Sequence, residues 1–574
     1  FQVLPNHKSN MQFSSDAAAA EAKKVAEANE AAMAKAAAEK AAAEAQAAAE
    51  KKAAAEAKAA QEEVAEKAVD ELKKVTEEAQ KAVEKAANAV EEAAKETARE
   101  VGARAETASV AQEAQEAVEE VNSKMKEVQK AVQMGTPEVE NAANSVDDAV
   151  KSAKDAFPLY AITSKTERLK LLTNLLEITK NRFEDLAQAM MEEMGAPIKM
   201  SREAQADAGV GHLESFIEAL KISTEREMLK NGDILLREPI GVCGLITPWN
   251  WPINQIALKV IPALATGNTC VLKPSEHTPI SAILYAEMIH DAGFPSGVFN
   301  LVNGDGPTVG SALSSHKDIQ MMSFTGSTRA GKEVTRDSAE TIKRVTLELG
   351  GKSPNIIFSD CDLEERVRAS VLECFYNSGQ SCDAPTRLLV EKSCYKKVLE
   401  IAKKTAEIQE VGNPKKDGDH IGPLFDKIQY DRVQAHIEIG LNEATLLVGG
   451  LGKPDGFEKG WYAKPTIFAN VDNSMHIAQE EIFGPVLVII PFEDEEEAID
   501  IANDTPYGLA AYLQTTNKAR IERVSSKLRA GAIHINGGGF NYGSPFGGYK
   551  QSGNGREGGI LGLEDFQEIK TLHF

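Results

Sequence analysis

The sequence predicts an α/β protein of two lobes preceded by a long all-α arm. From about residue 240 onward, short apolar runs typical of strands alternate with helical stretches, and this alternation indicates parallel sheets covered by helices. The first 142 residues differ, because they contain only two aromatic residues, Phe1 and Phe13, although the whole chain has 19 Phe, 10 Tyr and 3 Trp. A large core is therefore expected only after this segment.

The first quarter of the chain is rich in helix formers and poor in large apolar side chains. Residues 17–60 are alanine at 26 of 44 positions, and such a segment cannot bury a core of its own. Only Gly102 interrupts the helical pattern before residues 135–137, Gly-Thr-Pro, end it. We interpret residues 1–142 as a low-complexity helical arm, either a solvated helix or a coiled-coil-like arm that binds another copy or an unknown protein.

Composition excludes several classes of protein. The formal net charge is −23, and an acidic chain without a basic stripe argues against nucleic acid as a partner. No apolar run approaches the roughly 18 residues that a membrane-spanning helix needs. The six cysteines form no CxxC pair, which predicts free thiols in a reducing compartment and a cytoplasmic location. Because the chain opens with Phe1 and not Met, we expect its true N-terminus to be missing, which leaves an organellar targeting peptide open.

The globular part opens with helices and continues with two sets of strands. An amphipathic helix is predicted over 146–157, and further helices from Thr166 to about Leu220. Strands are predicted in two sets, at 241–246, 269–272, 298–302 and 321–324, and then at 355–358, 387–390, 486–490 and Ala532–Ile535. Ligands in such folds bind at the carboxyl ends of the strands, so a cleft between the lobes is the expected site.

Two glycine-rich segments resemble phosphate loops to different degrees. Residues 553–558 satisfy GxGxxG, but the 16 residues after Gly558 are too few for the roughly 30-residue βαβ unit of a dinucleotide fingerprint. Residues 321–331 place a strand, a tight glycine turn and a helix start in succession, which is how backbone N–H groups meet a pyrophosphate. The second segment is the better candidate, although its pattern alone is a weak signal.

Three side chains stand in contexts suited to catalysis. Cys382 ends a loop of small residues where a thiol can be reached, whereas the other cysteines lie in apolar or helical contexts. Glu348 lies among apolar residues before a glycine turn, where partial burial would raise its pKa towards that of a general base. Asn250 follows a strand between aromatic and proline neighbours, so its amide could donate to an oxyanion. Each has a structural alternative: a packed thiol, a solvated or ion-paired carboxylate, and an amide that satisfies a turn.

Seven motifs in a fixed order resemble the NAD(P)-dependent aldehyde dehydrogenase family. They are PWNWP at 248–252, LKPSE at 272–276, FTGS at 324–327, ELGGKSP at 348–354, GQSC at 379–382, EEIFGP at 480–485 and SPFGG at 544–548. The resemblance covers about residues 144–574. It implies a Rossmann-like cofactor domain at 143–220 and 240–350, a catalytic domain at 351–551, and bridging strands at 221–239 and 552–574 that build homodimers or homotetramers.

The resemblance also implies the chemistry of the site. Cys382 resembles the nucleophile that attacks an aldehyde, Asn250 and the Cys382 backbone N–H resemble the oxyanion hole, and Glu348 resembles the base that activates water to hydrolyse the thioester. Relatives that pass the acyl group to coenzyme A usually lack a carboxylate at the position of Glu348, so CoA-acylating semialdehyde chemistry is the disfavoured enzymatic alternative. A scaffold protein with an idle dehydrogenase fold is the alternative of another class.

The cofactor set follows from the same motifs. Lys273 and Glu276 resemble the residues that bind the adenosine ribose, and a carboxylate there would repel a 2′-phosphate, which favours NAD while leaving NADP open. Gly326 and Ser327 resemble the pyrophosphate turn. Glu481 and Phe483 resemble the groups that hold the nicotinamide ribose and ring, and Ile246 and Trp249 complete the predicted cofactor-binding set. No metal is implied, because no Cys/His cluster has ligand spacing.

The sequence departs from the family pattern at two places. Family members usually begin with strands and a hairpin, and here the arm stands in their place, which leaves open how the first edge of the cofactor sheet is covered. Asp383 follows the nucleophile where many relatives have an uncharged residue, and its charge would raise the thiol pKa or help to bind a polar substrate.

The predicted substrate tunnel contains Trp251, Asn254, Gln255 and Phe540. This lining fits a medium-sized aldehyde with some polarity and does not name it.

Overall fold

The computed structural model describes residues 137–574, so the predictions for the arm and its coiled coil lie outside the described residues. Helix α1 spans Pro137–Tyr160 and includes the helix predicted over 146–157. Its buried Val146, Val150 and Ala153 pack against the first sheet. Proline suits the first turn of a helix, where its missing N–H would have no intrahelical partner.

A layer of helices follows α1. Its members are α2 (Lys165–Asn181), α3 (Phe183–Met194), α4 (Ile198–Met200), a π-helical segment (Ser201–Ala206) and α5 (Asp207–Ile222). Helix α2 begins with a capping box, in which Ser164 and Glu167 exchange hydrogen bonds between side chain and backbone. The π-helical segment widens the backbone next to the site described below, where such bulges are common.

The first large sheet lies in the middle of the described chain. In chain order the elements here are β1 (Arg226–Met228), β2 (Ile234–Pro239), β3 (Val242–Ile246), α6 (Pro252–Ala265), β4 (Thr269–Lys273), α7 (Pro279–Asp291), β5 (Phe299–Leu301), a π turn (Gly306–Gly310), α8 (Ser311–Ser315), β6 (Met321–Thr325), α9 (Thr328–Ser338), a 3₁₀ turn (Ala339–Thr341) and β7 (Arg344–Glu348). Strands β7, β6, β3, β4 and β5 pair in that order and are all parallel. Within the described residues β5 is the last strand at its edge.

The second large sheet is built from the rest of the chain. Its elements are β8 (Pro354–Ile357), α10 (Leu363–Phe375), a 3₁₀ turn (Tyr376–Gly379), β9 (Arg387–Glu391), a 3₁₀ turn (Lys392–Cys394), α11 (Tyr395–Glu407), α12 (Lys427–Glu443), β10 (Thr445–Val448), β11 (Thr466–Ala469), α13 (His476–Gln479), β12 (Val486–Phe492), α14 (Glu495–Asn503), β13 (Ala510–Gln514), α15 (Lys518–Lys527) and β14 (Ala532–Ile535). The strand order is β10-β11-β12-β9-β8-β13-β14, with only the β10–β11 pair antiparallel. Nearly all residues of the central strands are buried, as expected for a parallel sheet covered on both faces.

The C-terminal segment divides between two sheets. It forms a 3₁₀ turn (Lys550–Ser552), β15 (Gly553–Asn554), α16 (Gly559–Glu564) and β16 (Gln567–Leu572). Strand β16 pairs with β2, which also pairs with β1, so the predicted bridging segments form an antiparallel sheet of three strands. Strand β15 instead pairs with β7 at the edge of the first large sheet. The domain boundaries given by the sequence otherwise stay a prediction.

The predicted α/β class is confirmed. All eight predicted strands occur within two residues of their predicted ends, while β7, β10, β11 and β13 were not predicted. In residues 137–574 no helix is long and apolar enough to cross a membrane. Over the same range no cluster of His, Cys, Asp and Glu has the arrangement of a metal site.

Candidate active site

A cavity of about 160 Å³ lies beyond the carboxyl ends of β3, β6 and β7. It brings together eight predicted site residues: Trp249, Asn250, Gly326, Ser327, Glu348, Cys382, Glu481 and Phe483. Asn250 follows β3, Gly326 follows β6, and Glu348 is the last residue of β7. Because parallel strands end at the same edge of a sheet, three motifs far apart in sequence meet there. We call this space the inner cavity.

The loop that holds Cys382 has an unusual backbone. Asn377, Ser378 and Gly379 have positive φ angles of 51°, 56° and 73°. Left-handed conformations cost free energy for residues with a side chain and persist where packing enforces them. A Cβ atom on Gly379 would lie 2.1 Å from the Gly484 carbonyl oxygen, so only glycine fits this position. The loop is therefore held by its neighbours in one conformation.

Side-chain hydrogen bonds fix the same loop. The Gln380 amide donates to the Asn377 carbonyl oxygen at 3.1 Å and accepts from the Phe425 N–H at 2.9 Å. On the opposite side, a Cβ on Gly351 would lie 2.3 Å from the Cys382 carbonyl oxygen, so the glycine turn after Glu348 packs directly on the backbone of Cys382. This contact explains why the ELGG and GQSC motifs meet at one point.

Cys382 is a half-buried free thiol. Burial raises its pKa well above the ordinary value, and the negative charges of Asp383, Glu481 and Glu348 raise it further. Of the other cysteines, Cys361 is half-buried and the remaining four are buried, and none of them lines the inner cavity. Cys382 is thus the thiol placed to react, and it reacts more readily where a positive charge or hydrogen-bond donor stabilises its thiolate.

Asn250 is buried, and hydrogen bonds fix both its side chain and its backbone carbonyl. Its side-chain amide donates one hydrogen bond to the Gln380 carbonyl oxygen at 3.0 Å. Its own carbonyl oxygen accepts from the side chains of Asn377 at 3.0 Å and Gln205 at 3.1 Å. A primary amide has two N–H donors, so the second remains for an oxyanion in the cavity. Gln205, in the π-helical segment, was not predicted from the sequence and has no motif of its own.

Glu348 is buried at the end of β7, and neither of its carboxylate oxygens has a hydrogen-bond partner among the described residues. Burial raises its pKa well above the usual value, and the charge of Glu557 adds to the rise, while Lys259 and Arg556 oppose it. A carboxyl group with a raised pKa and two free acceptor positions is suited to take a proton from water. The alternative of a solvated or ion-paired Glu348 is therefore wrong.

A buried ion pair lies behind Glu348. Lys259 on α6 is fully buried and pairs with Glu557. This pair was missed from the sequence because its members are separated by 298 positions; Lys259 stands in no quoted motif, and Glu557 lies in the 553–558 segment, which the sequence offered only as a poor phosphate-loop candidate. Removal of either partner would leave an uncompensated charge in the interior and destabilise the fold, so each residue of the pair depends on the other. The pair sets the electrostatic surroundings of the predicted base.

The predicted adenosine-ribose residues do not line the inner cavity; they lie at and just after the end of β4, the strand next to β3. The Lys273 ammonium donates to the Glu276 carboxylate at 2.9 Å. Burial acts to raise the pKa of Glu276, but the hydrogen bond from Lys273, a backbone N–H and nearby positive charges together hold the pKa below its usual value. An ionised, partly exposed carboxylate here can accept from two ribose hydroxyls. Ile246, the last residue of β3, has its side chain buried in the core and does not line the inner cavity.

The predicted pyrophosphate and nicotinamide groups surround the rest of the inner cavity. Ser327 caps helix α9 by accepting from the Ala330 N–H at 3.3 Å, which places a helix N-terminus at the cavity. Phe483 lies edge-on to Trp249 with ring centroids 5.6 Å apart. Glu481 accepts from the Gly351 N–H at 3.0 Å, and burial raises its pKa to about 7. This donor and acceptor set matches the parts of a dinucleotide.

A second cavity of about 430 Å³ opens on the other side of Cys382. The four predicted tunnel residues, Trp251, Asn254, Gln255 and Phe540, all line it. The Trp251 indole N–H donates to the Ser381 hydroxyl at 2.9 Å, which fixes the ring beside the nucleophile. The Asn254 side chain bonds to the buried His212 ring at 2.8 Å. We call this space the outer cavity; Cys382 is the residue shared by both cavities.

Comparisons with known proteins agree with this geometry. The family model described as "Aldehyde dehydrogenase family" matches residues 110–572, which includes part of the predicted arm. A 3-succinoylsemialdehyde-pyridine dehydrogenase from a Pseudomonas species is 50% identical over 74% of this chain and 90% of its own length. Aldehyde dehydrogenase C from Pseudomonas syringae, solved as a mutant with NAD⁺ and octanal, is 47% identical over 75% of this chain and 89% of that one, with a TM-score of 0.74.

A more distant structure shows the same fold. Betaine aldehyde dehydrogenase from Staphylococcus aureus, solved with NAD⁺, is 35% identical over 74% of this chain and 86% of that one, with a TM-score of 0.72. The family match covers both large sheets and all the residues that line the two cavities. The chain belongs to the aldehyde dehydrogenase family and is an oxidoreductase that acts on aldehydes.

Proposed function

We propose that this protein oxidises an aldehyde to a carboxylic acid with NAD as the acceptor, through a thioester on Cys382 that water hydrolyses. The observation that carries the proposal is the meeting of Cys382, Asn250 and Glu348 in one cavity. A thiol supplies the nucleophile, an amide N–H stabilises the oxyanion, and a buried carboxylate supplies the base. The presence of Glu348 favours hydrolysis over transfer to coenzyme A.

The residues around the inner cavity fit NAD. Glu276 would accept from the adenosine ribose, the N-terminus of α9 would face the pyrophosphate, and Glu481 and Phe483 would hold the nicotinamide end. When bound, NAD supplies the acceptor for the hydride that leaves the aldehyde carbon. The charge of Glu276 disfavours a 2′-phosphate, which supports NAD over NADP. The relatives solved with NAD⁺ support the same choice.

Each protein group then has one task. The Cys382 Sγ forms a bond to the aldehyde carbon, and the Asn250 side chain with the Cys382 backbone N–H donates to the oxygen that becomes negative. After oxidation the carbon is held on Sγ as a thioester. Glu348 takes a proton from a water molecule, which attacks the thioester and releases the carboxylic acid with return of the thiolate.

The direct test is NADH formation with a panel of aldehydes, with and without coenzyme A and with NADP in parallel. We expect turnover that needs no coenzyme A and is faster with NAD. A strict requirement for coenzyme A would contradict hydrolysis and favour acyl transfer. Binding of NAD without oxidation of any aldehyde would favour the scaffold alternative, in which the arm is the functional part.

The pH dependence of turnover follows from the pKa shifts of the same groups. Cys382 attacks as a thiolate and Glu348 acts as a carboxylate, so both work when deprotonated. Because burial and neighbouring negative charges raise both pKa values, kcat/KM, which reports attack by Cys382, and kcat, which includes hydrolysis assisted by Glu348, are both expected to rise with pH, by about tenfold per unit below the governing pKa. Initial rates between about pH 6 and about pH 9 measure this, with re-assay at one pH as the control for inactivation. A rate that is flat or falls over this range would contradict the assignment.

The three-stranded sheet supports a proposal about assembly. Strand β1 is exposed along its length, and residues Glu568 to Thr571 of β16 are exposed as well. These two strands are the edges of the sheet, and exposed edges offer unpaired backbone groups to another chain. We propose that this sheet joins copies of the chain into a homodimer or homotetramer.

A further inference from the structure

The outer cavity has a strongly one-sided charge. Four carboxylates line it, from Glu203, Asp207, Glu373 and Asp383, and the residues that line it include no Lys, Arg or His. Asp383 directly follows the nucleophile, so the negative field reaches the reacting end of the cavity. A space of about 430 Å³ beside Cys382 is large enough for a functionalised aldehyde chain.

None of these four carboxylates forms a direct ion pair within residues 137–574, although the charges of Lys199 and His534 act from a distance on Glu203 and Asp383 respectively. No ion pair involves Asp383, Glu373, Glu203 or Asp207 there, and the Asp207 carboxylate accepts only from the Tyr542 hydroxyl, at 2.9 Å. The cations nearest to Glu203 in sequence have other partners, since Arg202 pairs with Glu184 and Lys199 pairs with Asp419. Burial raises the pKa of Glu373, and the charge of Asp383 adds to the rise; burial also raises the pKa of Asp383, and the charge of His534 opposes that rise.

A cavity next to the outer one shares Glu373 and Asp383 and also contains Arg366 and His534. The Arg366 guanidinium pairs with Glu365 and donates to a backbone carbonyl, so it is committed elsewhere. His534 stacks on Tyr512 and bonds to the Gly538 carbonyl oxygen. Neither group enters the lining of the outer cavity.

Aromatic rings form the rest of the wall. Trp251 and Tyr376 have ring centroids 6.2 Å apart, and Phe540 lies 5.9 Å from Tyr542 and 6.1 Å from Phe546 in edge-on arrangements. Ring faces attract cations through their quadrupoles, more strongly when water is excluded. Carboxylates and rings together are the surroundings that suit an ammonium group.

A further observation that points to a ligand comes from Gln255. This side chain lines the outer cavity, is 5% exposed, and its Oε1 has no hydrogen-bond partner among the described residues. A buried acceptor without a donor destabilises the unliganded cavity, and a bound ligand that interacts with the acceptor can offset this free-energy cost. An acceptor in this position adds to the negative potential of the wall and is complementary to a positive ligand.

We infer that the outer cavity selects aldehydes that have a positively charged group, such as an ammonium, at the end remote from the carbonyl. The carbonyl lies at Cys382 and the cation lies among the rings and carboxylates of the cavity wall. This inference rests on the proposed function and names the substrate class of that same site. Neutral and anionic aldehydes of the same length fit the space but lack the charge that the wall complements.

Two isosteric aldehydes test the inference. The first is butanal with a terminal trimethylammonium group; the second has a tert-butyl group in its place, so shape is kept and charge is removed. The ratio of kcat/KM for the cation to that for the neutral isostere is expected to be about ten or more. A lower ratio overturns the inference. Succinate semialdehyde, which is anionic, is expected to be the poorest of the three, and a higher rate with it also overturns the inference.

Variants locate the effect in the wall. Asp383→Asn and Glu373→Gln are each expected to lower the cation-to-neutral ratio by about threefold or more, while Glu522→Gln, an exposed carboxylate outside the cavities, leaves it unchanged. Because the ratio is taken on one enzyme, a change in Cys382 reactivity cancels. Unchanged ratios in both cavity variants overturn the inference. If NAD binds but the whole aldehyde panel is inert, the proposed function itself fails; oxidation of neutral aldehydes alone overturns only the substrate class.

Discussion

Replacement of Cys382 by alanine is expected to lower kcat for aldehyde oxidation by at least about 10⁴-fold. The thiol forms the covalent bond on which every later step depends, and no other cysteine lines the inner or the outer cavity. The fold should survive, because a half-buried side chain is shortened by one atom and the loop is held by backbone and Gln380 contacts. Steady-state NADH formation measures the loss.

Cys361 offers a matched control for this substitution. It is the other half-buried thiol and lies at the end of a turn after β8, outside both cavities. The Cys361→Ala variant is expected to keep its activity within about twofold, as is usual for substitutions away from a site. NAD binding by calorimetry should be unchanged in both variants. A Cys382→Ala variant that retains more than about one hundredth of the activity would show that another group is the nucleophile.

Glu348→Gln is expected to separate the two halves of the reaction. The amide has the size of the carboxylate but cannot take a proton from water, so thioester hydrolysis slows while attack by Cys382 continues. We expect kcat to fall by about 10²–10³-fold, with a first-turnover burst of NADH equal to the enzyme concentration. Rapid mixing with single-turnover analysis measures the burst.

The burst also tells whether Glu348 has a different role. If burst rate and kcat fall together, Glu348 acts before the thioester forms, for instance by taking the Cys382 proton, since its charge contributes to the thiol pKa. Glu340→Gln is the matched control, because it makes the same change at an exposed position before β7. Its burst and kcat are expected to equal those of the unmodified protein.

The sequence predicted the site better than it predicted the sheets that support it. Cys382, Asn250 and Glu348 stand in short linear motifs, so their types and local contexts were visible. Strand β7, which ends in Glu348, was missed because Arg-Val-Thr-Leu-Glu alternates apolar with polar residues and does not form a continuous apolar run like the strands that were predicted. Strand β13 was missed because Ala510 and Ala511 lack the β-branched character typical of strands.

Local sequence patterns could not predict contacts between segments that are far apart in the chain. Lys259 and Glu557 meet only because α6 and the segment after β15 pack behind β7, and no periodicity reports such a meeting. The support of Asn250 by Gln205 depends on a π-helical bulge that composition does not reveal. Asp383 was visible as a departure from the family, but the other carboxylates around it came together only in the folded chain.

The conformation of the nucleophile loop has a consequence for attempts to redesign the enzyme. Asn377, Ser378 and Gly379 adopt left-handed backbone angles against the Gly484 carbonyl, so most sequence changes there act on the backbone and not on selectivity. The walls of the outer cavity are formed by side chains on α5, α6 and α10 and on the segment around Phe540. Libraries that aim at new aldehydes should therefore leave the loop intact and vary the walls, where a change of side chain alters the ligand's surroundings without moving the thiol.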